Sequence, residues 1–283
     1  MNSEHNDLTS LNYCITKAIP DGSNLYYACL FEKQENKIII ITLHAFLHEL
    51  NDIIIECSDP GVARIKLKWW QEEIERLFDN QPRHPVTRQM KISIKLNQEL
   101  KLALGYIICA FEQLIFLEQT DHLDSILSLF ESVEGEIWVQ CSQQLKVDDV
   151  KSIKIVREMG ALNLFFTGLQ QPYSYINDMR CLIPASYIEK SDLLNMRNQA
   201  SKRAEQKKIF SPLINDIQNR LDKTYTKFKT EYDIEYKYPL IMNQLIFKTC
   251  NEILYDGCNL LNKNVSMTPL RKLWLAWRIY NFA

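Results

Sequence analysis

Glycine and proline are scarce, at seven and nine among 283 residues. That is too few for the many turns of a β-sandwich or barrel, and too few for a glycine-rich loop around a phosphate. An excess of charge of one sign is also missing. Thirty-three Lys+Arg stand against 35 Asp+Glu, a formal net charge of -2, so the basic footprint of a nucleic-acid binder is absent and no nucleic-acid partner is expected. The eight cysteines include no Cys-x-x-Cys pair, which speaks against a zinc ribbon or disulfide framework and for buried thiols in a reducing compartment. No G-x-S-x-G elbow marks a serine hydrolase. No uninterrupted apolar run reaches the roughly 18 residues of a spanning helix. The opening MNSEHNDLTSLNYC is polar and acidic, unlike a secretory or mitochondrial leader. The expectation is a cytoplasmic protein that touches a membrane, if at all, by its surface.

What is present is core-forming material: 46% hydrophobic and 24% charged residues, with no abrupt change along the chain. One domain is expected over residues 21–283, after a tail of residues 1–20 that is at most partly ordered. Periodicity reads as helix almost throughout. Asp21-Gly22-Ser23-Asn24 forms a turn and cap ahead of LYYACLF. The segment from Glu35 to Cys57 is apolar nearly all round, as a helix in the middle of a bundle would be. Its run Ile38 to Ile41 has strand-like propensity, but no partner strand of matching character follows. After Ser58-Asp59-Pro60-Gly61, the residues Val62, Ile65, Trp69, Ile74 and Leu77 predict an apolar stripe on the next helix. Further helices are expected over Val86 to Leu96, Glu99 to Leu117, His122 to Leu145, Val147 to Leu169, a pair within Leu194 to Lys229, Tyr238 to Asn262, and LRKLWLAWRIYNF after Thr268-Pro269. Pro172 to Pro184 reads as an irregular connection. The fold class is therefore all-α, with ten to twelve helices.

Five segments in order resemble the squalene/phytoene synthase family over about residues 20 to 280. SNLYYACLF resembles an opening helix with a Ser-x-x-x-Tyr pattern, here Ser23 and Tyr27. LHAFLHELNDIIIE resembles the helix that usually reads LYAFCR and then an aspartate-rich DDxxD, a register that falls on Asn51, Asp52, Ile53, Ile54 and Ile55. RIKLKWWQEEI resembles the Arg and Trp segment that follows. GALNLFFTGLQQPYSYINDMRCLIP resembles the second aspartate-rich stretch, closed by Arg180-Cys181-Leu182-Ile183-Pro184. MTPLRKLWLAW is similar to a final helix of the family. The resemblance implies a single helical bundle of the isoprenoid synthase type around a central cavity. It also implies a head-to-head prenyltransferase activity in which magnesium, held by two facing acid clusters, draws off diphosphate.

In that register the acids are largely missing. Asn51 and Ile55 stand at the outer positions of the first cluster, and Gln171 and Tyr175 stand where the second would be. No Asp or Glu occurs between Glu158 and Asp178. Glu49, Asp52 and Glu56, at i, i+3 and i+7, share a helix face and could bind magnesium in a shifted site. The plainer reading of these acids is structural pairing with Lys or Arg from a neighbouring helix. QQPYSYINDMRCLIP also resembles the mitochondrial complex I assembly factor of this fold. SDPGVARIKLKWWQEEI followed by HPV is similar to an uncharacterised bacterial group with the same losses. Those likenesses imply a non-catalytic scaffold that binds an isoprenoid, another lipid or a protein partner.

Three readings therefore stand side by side: a silent binder, a magnesium-dependent prenyl diphosphate condensing enzyme using Glu49, Asp52 and Glu56, and a peripheral membrane protein held by residues 269–283. For the binder, the expected pocket comprises Tyr27, Phe46, His48, Leu50, Leu164, Phe165 and Arg180, with Tyr27 and Arg180 near its mouth. His48 takes the place of an Arg in the family pattern. His44 and His48, at i and i+4, lack the third ligand that a zinc site needs. Of Trp69 and Trp70, about 100° apart on a helix, at most one can sit centrally in the core. Trp274, Trp277, Tyr280 and Phe282, beside Arg271, Lys272 and Arg278, suit either packing on the bundle or contact with a membrane surface. Arg197, Lys202, Arg203, Lys207 and Lys208 read as a solvated basic face.

Overall fold

The computed structural model describes residues 2–146, 149–177, 179–198, 203–231 and 236–282, except for the side chains of 2–7, 197, 198 and 231. Val147, Asp178 and Lys202, and the side chain of Arg197, thus lie outside the described residues. The chain is 76% helical and forms no strands among the described residues, and the all-α expectation holds. The helices are α1 (Asn2–Ala18), α2 (Asn24–Cys29), α3 (Gln34–Glu56), α4 (Pro60–Phe78), α5 (Pro85–Ser93), α6 (Gln98–Leu114) and α7 (Leu123–Phe130). A π-helical turn (Glu131–Gly135) leads into α8 (Glu136–Gln144). There follow α9 (Val150–Leu169), α10 (Pro172–Tyr175), α11 (Lys190–Asn198), α12 (Arg203–Glu231), α13 (Tyr238–Tyr255) and α14 (Pro269–Phe282).

Local chemistry sets most of these starts. Ser23 caps α2 by accepting from the Tyr26 N–H at 3.1 Å, after Gly22 has turned the chain at φ +82°. Asp59 accepts from Gly61 and Val62 at 2.6 and 3.1 Å ahead of Pro60, which suits the first helical position. Asn97 and Asp149 cap α6 and α9 in the same way.

Two helices form the middle. α3 packs against α1, α5, α4, α6 and α8, and α9 packs against α7, the π turn, α8, α12 and α13. α3 has an 18-residue window of mean hydropathy 1.7, enough by length and composition to cross a bilayer, although its apolar residues are not consecutive. Since 61% of that window is buried in the bundle, the apolar character is accounted for by packing. The strand-like run Ile38 to Ile41 lies within this helix. Ile40 and Ile41 are buried in the core and Ile38 and Ile39 half-buried, and that tertiary packing overrides propensity.

Some expectations are corrected. Residues 2–18 form a helix rather than a tail, and Cys14, Ala18 and Ile19 join the main core. The buried stripe of α4 is Ala63, Leu67, Trp70, Ile74 and Leu77, while Val62, Ile65 and Trp69 are exposed. The expected stripe counted exposed apolar residues as core. Fourteen helices among the described residues exceed the expected ten to twelve. The excess comes from α1, from the division of His122–Leu145 at the π turn, and from α10 inside the segment expected to be irregular.

Candidate functional site

α3 carries its acids on the side facing α1 and the start of α5. Lys17 of α1 lies between Glu49, at 3.2 Å, and Asp52, which it also contacts through a short hydrogen bond. Partial burial works against the Lys17 charge, but the two carboxylates outweigh it and raise its pKa. The Tyr13 hydroxyl donates to Glu49 at 2.6 Å, and burial followed by this carboxylate pushes the phenol up to about 12. Lys17, Glu49, Asp52, Glu56, Lys66, Trp69, Trp70 and His84 line an open cleft of about 370 Å³. All three candidate metal ligands therefore share one cleft, with a lysine between two of them.

His84 is placed by Glu73. This buried carboxylate accepts from the Arg83 and His84 N–H groups at 2.6 and 2.8 Å, from Thr87 Oγ1 at 2.5 Å and from Arg76 Nε at 2.7 Å. Burial opposes its charge, but these four donors prevail and depress its pKa. The His84 ring lies 4.7 Å from Trp70 and 5.4 Å from Tyr13, and its Nε2 is 3.9 Å from Glu49. Burial lowers its pKa. The cleft thus has an aromatic wall and an acidic floor on which Lys17 bridges Glu49 and Asp52.

Deeper in the bundle, the Tyr175 hydroxyl donates to Asn51 Oδ1 at 2.6 Å. Tyr175 is buried, and burial pushes its phenol well up against the opposing effect of Arg180, so it remains a protonated donor. Gln171 is exposed and Ile55 half-buried. A second buried polar group joins α9 to the π turn: Glu134 accepts from Trp138 Nε1 at 3.1 Å and from Asn163 Nδ2. Burial raises Glu134 to about 8, against the effect of its two donors. Among the described residues, no three His, Cys, Asp or Glu side chains converge closely enough to hold a metal ion.

A family model described as squalene/phytoene synthase matches residues 20–112. The crystal structure of squalene synthase HpnC from Alicyclobacillus acidocaldarius superimposes with a TM-score of 0.69 at 12% identity, covering 88% of this chain and 95% of that one. A dehydrosqualene synthase solved in complex with ligand gives 0.74 at 11% identity, covering 98% of each chain. The sequence is thus similar to squalene/phytoene synthases over residues 20–112, and the fold of the chain is that of these synthases. At such low identity the structural likeness is one of fold, and no curated protein matches the sequence.

Within this squalene/phytoene synthase-like bundle, the expected pocket residues are distributed as follows. Tyr27, Phe46, Leu50, Leu164 and Phe165 are all buried in one continuous core, Phe46 packing edge-on against Trp70 and Phe165 lying near Phe130. Tyr27 is at the α14 side, with Lys272 Nζ 5.9 Å over its ring. His48 is half-buried, its pKa lowered chiefly by burial while Asp52 opposes the shift. His44 bonds to the Tyr238 hydroxyl at 3.0 Å, and burial pushes it down to about 3, so it is neutral. Arg180, like Tyr27, is buried, and its guanidinium donates to the Ile115 and Ser174 carbonyls. Of the basic cluster, Arg203 pairs with Asp256 at 2.8 Å, and Lys207 and Lys208 are exposed.

Sequence reasoning missed Tyr13 and Lys17, because α1 was read as a tail, and it also missed Glu134 with Asn163. A signal for Glu134 exists in FESVEGEIW: the acid has Phe130 four residues before it and Trp138 four residues after, on one helical face.

Proposed function

We propose that this chain is a non-catalytic member of the squalene/phytoene synthase-like fold that binds a neutral isoprenoid or a related apolar lipid. The observation that carries the reading is the Tyr175–Asn51 hydrogen bond. In the family register these two positions belong to the facing acid clusters, yet here a phenol and an amide meet directly at 2.6 Å. Magnesium binding a diphosphate needs charged oxygen donors on both sides. An amide, an isoleucine, a glutamine and a phenol at 51, 55, 171 and 175 do not fit that requirement. A neutral ligand requires none of them.

A catalytic reading has one observation in its favour, the gathering of Glu49, Asp52 and Glu56 on a single cleft. Lys17 weighs against it, because its ammonium already occupies the space between two of the three acids. Thermal shift measured with farnesyl diphosphate and magnesium, beside farnesol alone, separates the readings. The binder is expected to be stabilised by farnesol, to gain nothing from magnesium with the diphosphate, and to release no inorganic diphosphate. Magnesium-dependent product formation that disappears in Asp52→Asn would overturn the proposal.

A further inference from the structure

The terminal helix α14 docks on the bundle through Lys272, Leu275, Ala276 and Ile279, and the Lys272 ammonium donates to the Gly22 carbonyl at 2.9 Å. The opposite face is left apolar. Leu270, Leu273, Trp274 and Trp277, at i, i+3, i+4 and i+7, are all exposed and fall within an arc of about 100°. Docking and an outward apolar stripe, which the sequence presented as alternatives, therefore coexist on one helix.

Charge indicates what would cover this stripe. After Asp256 the chain has four basic residues and no acidic one; Lys272 is turned inward to Gly22, Lys263 pairs with Asp256 at 3.5 Å, and Arg278 is the cation set directly beside the stripe. Arg271 and Arg278 lie on the same flank of the stripe, seven residues apart. Arg271 pairs with Glu252 at 2.7 Å, and Arg278 lies 4.9 Å over the Trp274 ring. Tryptophan edged by arginine is the composition favoured at the headgroup level of a bilayer, where the ring stays apolar and the guanidinium meets phosphate. A second copy of the chain fits less well. A helix of 14 residues is about 21 Å long and about 10 Å wide, so its exposed face offers on the order of 200 Å², far below the ~800 Å² per partner of a stable interface.

We infer that the outer face of α14 is a docking surface for an anionic lipid bilayer. It places the protein flat on a membrane, with Leu270, Leu273, Trp274 and Trp277 among the headgroups and Arg278 on lipid phosphate. The inference is independent of what the bundle interior binds, since the stripe lies on the opposite side of α14 from the core.

The test is co-sedimentation of the full-length protein with vesicles of phosphatidylcholine containing about one third phosphatidylglycerol, beside vesicles of phosphatidylcholine alone. The wild type is expected to bind the anionic vesicles, to bind the neutral ones about ten-fold more weakly, and to lose affinity with added salt. Trp274→Ser with Trp277→Ser is expected to lower anionic binding by about ten-fold while helical circular dichroism is retained, because both positions are exposed. Arg278→Gln provides a second variant that leaves the apolar stripe intact, and it should lower binding to anionic vesicles only. Failure of the folded wild type to bind, or equal binding by the tryptophan variant, overturns the inference. So does a wild-type dimer that the same variant converts to monomer.

Discussion

Glu134 sits on the π turn with its carboxylate facing Asn163 and Trp138, in a place where ionisation has no cation to answer it. Burial raises it from the ordinary 4.5 to about 8, so the folded protein keeps a proton that the unfolded chain has released. The stability tied to that proton is fully present below about 4.5 and is lost as pH rises through about 8. Glu134→Gln retains an acceptor for both donors and cannot ionise. Urea denaturation of the wild type from about pH 6 to about pH 9 should show a loss of roughly 3 kcal/mol, whereas Glu134→Gln should stay nearly flat over the same range. Equal slopes would show that the carboxylate is not held neutral. Single residues such as this were the least legible part of the sequence. That Asn51 and Tyr175 interrupt an acidic pattern could be read, but that they bond to one another depends on a contact spanning 124 positions. Periodicity carries no such information.

The helices themselves were far more legible, because a period of 3.6 and a capping residue are local properties. Ser23, Asp59 and the Thr268-Pro269 start all fall at or beside real helix ends. Errors arose where an apolar residue faces solvent. Ile65 is 71% exposed and Trp69 40%, so counting apolar residues on α4 turned its stripe about one position from the real one. The π turn was also hidden, since its extra residue per turn leaves no compositional mark. Its consequence is a tight crossing with α9. A Cβ on Gly160 would stand 2.8 Å from the Glu134 carbonyl oxygen and 2.8 Å from Gly135 Cα, both backbone atoms. Gly160→Ala is therefore expected to cost about 2–3 kcal/mol by forcing the two elements apart. Gly105, inside α6, has nothing within 4 Å of the same atom. Gly105→Ala should instead stabilise the protein by up to about 1 kcal/mol through helix propensity alone. Chemical denaturation of the pair should move the midpoint in opposite directions, and a shared sign would mean that helix propensity or packing has been misjudged.

At the scale of the whole molecule, the order of five segments pointed to the bundle, and the dehydrosqualene synthase structure covers 98% of the chain despite 11% identity. A fold of this kind tolerates such divergence because cores accept many apolar combinations of similar volume. What could not be read was the role of α1, which closes one side of the bundle against α3 and α5 and brings Lys17 to the acids. Glu49 and Asp52 sit one helical turn apart, and without a cation their like charges would repel. Lys17 is about a quarter exposed, so the pair is screened less than a surface ion pair but more than a core one. Lys17→Met is expected to cost roughly 1–2 kcal/mol, most of it from carboxylates left uncompensated. Asp52→Asn in that background removes one of the repelling charges and should return part of the loss. A double-mutant cycle is therefore expected to give a coupling of about 1 kcal/mol between positions 17 and 52. The coupling should persist in the absence of any divalent ion, because the cation it measures belongs to the chain itself. Were the cycle to close at zero, α1 would be held by its apolar face alone, and the acids of α3 would be free to serve another cation.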